Sequence, residues 1–409
     1  MNIALYHNLP SGGARRAMVE MVRGLAARGH SIDEYCPETA DQSFLPLNGI
    51  VRRTTVLPFE ARGVAKDRVP LLTPYITTVR LISDLRAMAA VGEEAARRID
   101  QQGYDVAFTH DCQLTLVPDV LRFLHLPSIH YFHVGGRGLE EIKRGYSKPK
   151  TVLSAKIKTA YYAPAHRIYP CLRFRQAKRN LRAVGRVLTN SRFAAAELYN
   201  AFHVTAEVCI LGVDITVFRP LGLSRERFVL SVGAVHPYKG YRFLLQSLAK
   251  LSQDKRPTLI IAANSAEPDE LRTLQALAAE LNVALNVHNV ADAAEMASLY
   301  NRAAAFVYAP IREPWGLAAI EAMACGTPVV AVGEGGVAES VEDGRTGLLT
   351  KRDPHEFATA LGRILTDPAL AACLGTGGVT NARNNFTWGS TVDSIERHLY
   401  EAAKIGASS

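Results

Sequence analysis

The run Glu313-Pro-Trp-Gly-Leu-Ala-Ala-Ile-Glu321, followed by Ala-Met-Ala-Cys-Gly-Thr-Pro-Val-Val, places two carboxylates on either side of seven residues. An apolar strand pattern over 304–308 precedes it, and a second over 328–332 follows. Between them, the residues from Gly316 onward read as a helix. Glu313 therefore falls in the loop after one strand and Glu321 inside the next helix. An ionised carboxylate is a pure acceptor and can take two hydrogen bonds from vicinal hydroxyls, which is what a sugar or a ribose offers. A helix start at Gly316-Leu317 presents free N–H groups and the positive end of the helix dipole, suited to a diphosphate. Carboxylate, phosphate-binding turn and second carboxylate, in that order, describe a site for a nucleotide diphosphate sugar.

The same strand–helix alternation extends outward through the chain. Strand patterns over 228–233 and 258–262 alternate with helical ones over 241–251 and 269–281, and another strand pattern lies at 348–350. The first half repeats the theme: strands over 3–6, 32–35, 106–109, 128–132 and 187–189, with a helix over 15–28 that opens after Gly12-Gly13-Ala14 and ends at Gly29. Strands separated by helices imply parallel βαβ units, because parallel neighbours need a crossover connection. The pattern restarts near 212–220. The 409 residues exceed the usual size of one core. The expectation is thus two doubly wound α/β domains, 1–215 and 216–388, facing a central cleft, with ligands beyond the carboxyl ends of the strands.

Composition excludes several classes. With 48% apolar and 21% charged residues the chain is an ordinary globular one, and it has no uninterrupted apolar run of about 18 residues. The six cysteines show no CxxC spacing and read as reduced, and the N-terminus reads as a strand rather than an export signal, so a cytoplasmic location is expected. The net charge of +8 is concentrated. Residues 137–186 hold fourteen Lys or Arg against Glu140 and Glu141, a local +12, leaving 8 − 12 = −4 for the rest. With Tyr146, Tyr161, Tyr162, Tyr169 and Phe174 interleaved, that block reads either as a surface for an anionic membrane leaflet or lipid-diphosphate acceptor, or as a solvated helical insert. No nucleic-acid motif accompanies it.

The ordered set of motifs resembles glycosyltransferase family 4, the E-x7-E retaining transferases of GT-B fold, over nearly the whole chain. The matching stretches are Gly12-Gly13, Asn190-Ser191-Arg192-Phe193, Gly212-Val213-Asp214, Ser231-Val232-Gly233 through Lys239-Gly240, Gly335-Gly336 with Glu339, and Thr346-Gly347-Leu348-Leu349. The resemblance implies that Glu313 holds hydroxyls of the transferred sugar and Glu321 those of the ribose. It implies that Lys239 pairs with the diphosphate, and that His133, after the strand over 128–132, contacts the donor sugar. By the same likeness Gly12, Gly13, Gly233, Gly316 and Leu317 belong to the donor site, and a last helix over 389–405 packs back on the first domain. His130 and His133 differ by three and so project to opposite faces of that strand. His110-Asp111, beyond the strand over 106–109, either lines the acceptor pocket or caps a helix.

One position departs from the family pattern. Ala234 stands where the family carries an arginine, and Arg137 is expected to substitute for it in preference to the neutral His236. With no pair of acids at a strand end in the second half, no divalent metal and no cofactor are expected. The implied reaction is a front-face transfer from a nucleotide diphosphate sugar to a hydroxyl of a glycan, glycolipid or polyprenyl-linked acceptor. The departure at Ala234 keeps open a non-catalytic paralogue that binds a membrane or a partner. An epimerase or a phosphorylase of similar fold would have no evident use for the basic block.

Overall fold

The computed structural model describes residues 1–63, 72–133, 153–290 and 292–407. The chain forms two compact units. The first comprises Met1–Asn190, Ala195–Cys209 and Val392–Ser409, and the second Ser191–Ala194 and Ile210–Thr391. Apart from the short excursion over Ser191–Ala194, the chain therefore passes between units at 209/210 and 391/392, against the 215/216 and 388/389 read from the sequence.

In the first unit, β1 (Asn2–Asn8), β2 (Ser31–Pro37), β3 (Arg53–Leu57), β4 (Val106–Cys112), β5 (Ser128–Phe132), β6 (Arg186–Thr189) and β7 (Glu207–Val208) make one sheet in the order β3-β2-β1-β4-β5-β6-β7. Every pairing within it is parallel. The central strands are buried along their length, as in Ile3-Ala4-Leu5-Tyr6, because helices cover both faces of such a sheet. The helices are α1 (Gly13–Ala27), α2 (Thr73–Asp100), α3 (Leu153–Ala183) and α4 (Arg192–Phe202), the last of which begins on the second unit. Two features escape the sequence pattern. β3 carries mostly exposed residues at the sheet edge, and β4 runs through Cys112, so His110 and Asp111 lie within the strand and cap no helix.

In the second unit, β8 (Glu226–Val232), β9 (Thr258–Ala262), β10 (Leu285–His288), β11 (Ala303–Tyr308), β12 (Val329–Val332) and β13 (Gly347–Thr350) pair in parallel in the order β10-β9-β8-β11-β12-β13. Its helices are α5 (Tyr241–Leu248), α6 (Pro268–Glu280), α7 (Ala293–Arg302), α8 (Leu317–Ala324), α9 (Val337–Ser340), α10 (Pro354–Thr366) and α11 (Pro368–Asn385). Val229, Leu259, Ile261, Val307 and Val330 from the sheet pack with Leu244, Leu248, Phe357 and Leu361 from the helices.

α12 (Trp388–Ala407) starts on the second unit and continues on the first. On the first unit it lies against α1: Arg28 reaches Asp393 at 2.7 Å and Glu396 at 2.8 Å, and His30 reaches Glu396 at 2.7 Å. Only glycine fits at position 24, since a Cβ there would stand 2.4 Å from Val392 Cγ2. No single helix among the described residues is long and apolar enough to cross a membrane.

Candidate functional site

The donor-type motifs of the second unit converge on one place beyond the carboxyl ends of β8 and β11. β8 runs into Gly233 at φ +140°, in the region glycine tolerates, and the Tyr241 hydroxyl donates to the Gly233 carbonyl at 2.7 Å. A short 3₁₀ turn over Pro237–Lys239 follows, and Gly240 at φ +75° opens α5. A Cβ on Gly240 would lie 1.9 Å from the Ala309 carbonyl oxygen, so this turn presses directly on the end of β11. The Lys239 stem runs back across Gly233, where a Cβ would meet Lys239 Cε at 3.2 Å.

The loop carrying Glu313 is held from every side. The Ile311 amide donates to the Tyr238 carbonyl at 2.8 Å, and the Gly336 amide donates to the Glu313 carbonyl at 2.9 Å. Ser191 Oγ donates to the Pro314 carbonyl at 2.6 Å. Arg352 donates to the Ala309 and Pro310 carbonyls, each at 3.0 Å, and its guanidinium also grips Glu334. Gly336 can have no side chain, because a Cβ would fall 2.0 Å from the Pro314 carbonyl oxygen. On this fixed loop the Glu313 carboxylate meets Lys239 Nζ at 2.9 Å, both groups being only slightly exposed. Burial alone would lower the Lys239 pKa, but the adjacent Glu313 carboxylate outweighs it and the net shift is upward. The ammonium stays charged.

α8 begins at Gly316, φ +94°, which has no side chain to cap the helix, so Leu317 opens it without an N-cap hydrogen bond to its first amides. One turn further, Glu321 is 5% exposed and its Oε2 accepts from the wholly buried Tyr300 hydroxyl at 2.8 Å. Glu313, Lys239, Gly233, Gly316, Leu317 and Glu321 are thus brought to the same strand ends. Tyr300 and Arg352 went unnoticed in the sequence, because a buried tyrosine in a helix and an arginine after a strand carry no local signature of what they touch.

The first unit gathers histidines at the ends of its central strands. The pairings Thr109↔His130 and His110↔Tyr131 put Thr109 and His130 on one sheet face, and His110, Tyr131 and His133 on the other. His130, fully buried, pairs its Nδ1 with Thr109 Oγ1 at 3.0 Å. His133 Nε2 meets His110 Nδ1 at 2.8 Å, and the His133 amide donates to Asp111 Oδ2 at 2.9 Å. Burial pushes the His133 pKa down to about 4, and burial with the neighbouring His133 lowers that of His110 well below the ordinary 6.5. Both rings are neutral at pH 7.

The glycine turn before α1 belongs to the same end of the sheet. Gly12 needs its glycine for φ +140°, whereas a Cβ on Gly13 would meet nothing within 4 Å. Arg15, wholly buried in the first turn of α1, reaches His7 Nε2 at 2.8 Å and Glu34 Oε1 at 3.6 Å. His7, Glu34 and Cys36 bring ligating atoms together. The Arg15 guanidinium beside them disfavours a cation, and burial pushes the Cys36 thiol up to about 12. Arg137, with Gly135 and Gly136, lies outside the described residues, as do Glu140, Glu141 and Tyr146 of the basic block.

Comparison with known proteins gives a consistent picture. The family model "Glycosyltransferase Family 4" matches residues 11–217, and "Glycosyl transferases group 1" matches residues 215–378. D-inositol 3-phosphate glycosyltransferase of Thermomonospora curvata is 28% identical, over 96% of this chain and 91% of its own length. The protein of that name from Acidothermus cellulolyticus is 30% identical over 94% and 84% respectively. Among solved structures, sucrose-phosphate synthase from Thermosynechococcus elongatus superposes with a TM-score of 0.71 at 23% identity, covering 100% of both chains. Anabaena HepE in complex with UDP and glucose superposes with a TM-score of 0.70 at 17% identity, covering 97% of this chain and 99% of that one.

Proposed function

The chain belongs to glycosyltransferase family 4 and is a glycosyltransferase, and from that premise we propose that it moves a hexose-type sugar from a nucleotide diphosphate sugar to an acceptor hydroxyl with retention of configuration. The observation that carries this reading is the Lys239–Glu313 pair at 2.9 Å beside the uncapped start of α8. It joins a cation for a departing diphosphate to an acceptor of sugar hydroxyls. Glu321, oriented by Tyr300, takes the ribose hydroxyls. Gly233 and Gly12-Gly13 let backbone approach the donor, and His133 contacts the transferred sugar.

The reaction follows from these roles. The bond from C1 to the β-phosphate oxygen breaks as the acceptor oxygen bonds C1 from the same face. The acceptor proton passes to the leaving phosphate. Lys239 and the first amides of α8 stabilise the charge that develops there, which is where fixed cations and N–H dipoles contribute most. The protein supplies its own positive groups, so no divalent metal is required. Arg137 remains our candidate for the second cation that Ala234 lacks. The acceptor is a glycan, glycolipid or polyprenyl-linked hydroxyl, and the relatives' name makes a phosphorylated polyol a further acceptor to try.

The test is nucleotide diphosphate release from a panel of UDP-, GDP- and ADP-sugars in EDTA, with the anomer first formed read by proton NMR. Release of the retained anomer from one donor, lost in Glu313→Gln and Lys239→Met, is the expected result. Silence across the panel together with no donor binding would sink the transferase mechanism and favour the non-catalytic paralogue.

Association with an anionic membrane has its own support. On α3, Ile168 is 47% and Leu172 37% exposed, one turn apart, with the exposed Arg167 and Arg175 beside them. Apolar tips flanked by arginine suit the boundary of an anionic leaflet on the cytoplasmic side. Co-sedimentation with phosphatidylglycerol vesicles, weak with phosphatidylcholine and lost in Ile168→Glu/Leu172→Glu, is expected; equal sedimentation of the variant refutes this surface.

A further inference from the structure

His133 is held by its ring as well as its backbone, and the identity of the holder fixes which of its nitrogens carries the proton. His110 Nδ1 and His133 Nε2 are 2.8 Å apart, so one of them donates. His110 Nε2 is buried, and no described residue offers it a hydrogen bond. A neutral imidazole has one N–H. If His110 carried it on Nε2, a buried donor would be left unmade, at a cost of about 1–3 kcal/mol. With the proton on Nδ1, that donor is satisfied by His133, and the buried Nε2 is left with only an unpaired lone pair, which folded proteins tolerate better; the N–H without a protein partner is then His133 Nδ1–H, which is not among the buried unpaired atoms. His133 Nε2 must then accept, and its own proton sits on Nδ1.

We propose that His110 is a positioning residue, whose Nδ1–H holds His133 Nε2 and fixes His133 as the Nδ1–H tautomer, so that His133 donates a hydrogen bond to an oxygen of the transferred sugar and does not act as a general base. The proposal rests on the reading that His133 meets the donor sugar. Three further observations support it. The His133 and His110 rings lie edge to edge and nearly coplanar, with centroids 5.1 Å apart at 23°, and the His133 ring centroid is 4.8 Å from that of Tyr131, so the ring is confined in orientation. Asp111 fixes the backbone at the same residue through the His133 amide. Burial lowers the pKa of both rings, keeping each neutral with one proton to place. Among the described residues His133 makes hydrogen bonds through Nε2 and its amide alone, which leaves Nδ1 as the nitrogen available to substrate.

The direct test is a two-bond 1H–15N correlation spectrum of the 15N-histidine-labelled free protein. It should show His133 protonated on Nδ1 and bare on Nε2, and a His133 protonated on Nε2 overturns the proposal. Kinetics supply the second test, using the nucleotide sugar that is consumed in the donor panel. His110→Phe keeps an aromatic ring against Phe108, Tyr131 and His133 but removes the donor. It should lower kcat on the order of tenfold while leaving KM for the nucleotide sugar within about twofold, since the lost interaction orients a reacting contact. His110→Asn, which returns an N–H near the place of Nδ1, should recover part of the loss. A His110→Phe enzyme as fast as the wild type overturns the proposal. His133→Phe separates the two readings: full activity there removes the sugar contact itself, whereas a dead His133→Phe beside an unaffected His110→Phe removes only the role of His110.

Discussion

Replacing Lys239 by methionine tests the central pair, because methionine keeps much of the stem's length and removes the charge. At 2.9 Å and an effective dielectric of about 20, the attraction between Lys239 and Glu313 is about 6 kcal/mol before desolvation is deducted. Taking both ions largely out of water returns several kcal/mol, so the net coupling between them is about 1–2 kcal/mol. A diphosphate carries more negative charge than Glu313 and competes for the same ammonium. In the transition state, where that charge grows, losing one fixed partner costs about 2.7–4 kcal/mol, or roughly 10²–10³ in kcat. Lys239→Met should fall by that factor in initial rate of nucleotide diphosphate release, with the fold checked by circular dichroism. The mutation also strands the Glu313 carboxylate without its cation. The double variant Lys239→Met/Glu313→Gln should therefore be more stable than Lys239→Met alone, while being no faster. Since the two residues act as a unit, its rate should exceed neither single variant's and should not show the product of the two losses. A Lys239→Met enzyme within about threefold of the wild-type kcat would refute the assignment of Lys239 to the leaving group.

Three more outcomes follow from the geometry. Gly240→Ala would force a Cβ to 1.9 Å from the Ala309 carbonyl at a left-handed φ; the second unit should lose about 3 kcal/mol or more in urea unfolding, and activity should fall as the Glu313 loop shifts. Gly24→Ala should cost about 1–3 kcal/mol through its contact with Val392, and Val392→Ala in the same chain should recover part of that loss, which a pure helix-propensity effect would not allow. His133 has a folded pKa of about 4 against an ordinary 6.5. Between these values the unfolded chain binds more protons, so the first unit should lose stability as pH falls from about 6.5 to 4, and the urea midpoint of His133→Phe should depend less on pH over that window.

The amino-acid sequence by itself carries the alternation of strand and helix, the restart of that pattern in mid-chain, and the Glu313…Glu321 run. These are local: a strand of the Val329–Val332 kind is apolar throughout because both its faces are covered, and Gly240 and Gly316 are glycine because the backbone turns left-handed there. Edge strands were less legible. β3 is largely exposed, so its residues lack the apolar run that marks β8 or β12. What a side chain faces is another matter. Lys239 and Glu313 are 74 residues apart, Tyr300 and Glu321 lie on different helices, and Arg352 reaches the Ala309–Pro310 carbonyls from beyond β13. His110 and His133 share a hydrogen bond only because parallel register sets β4 beside β5 with His110 opposite Tyr131. Parallel pairing joins residues distant in the chain through crossovers whose length leaves the register free, so packing of the whole sheet had to select the partners. Residue types and their order marked Glu313, Lys239 and Glu321 as candidates; the pairing of Lys239 with Glu313, and of His110 with His133, was decided by the tertiary structure.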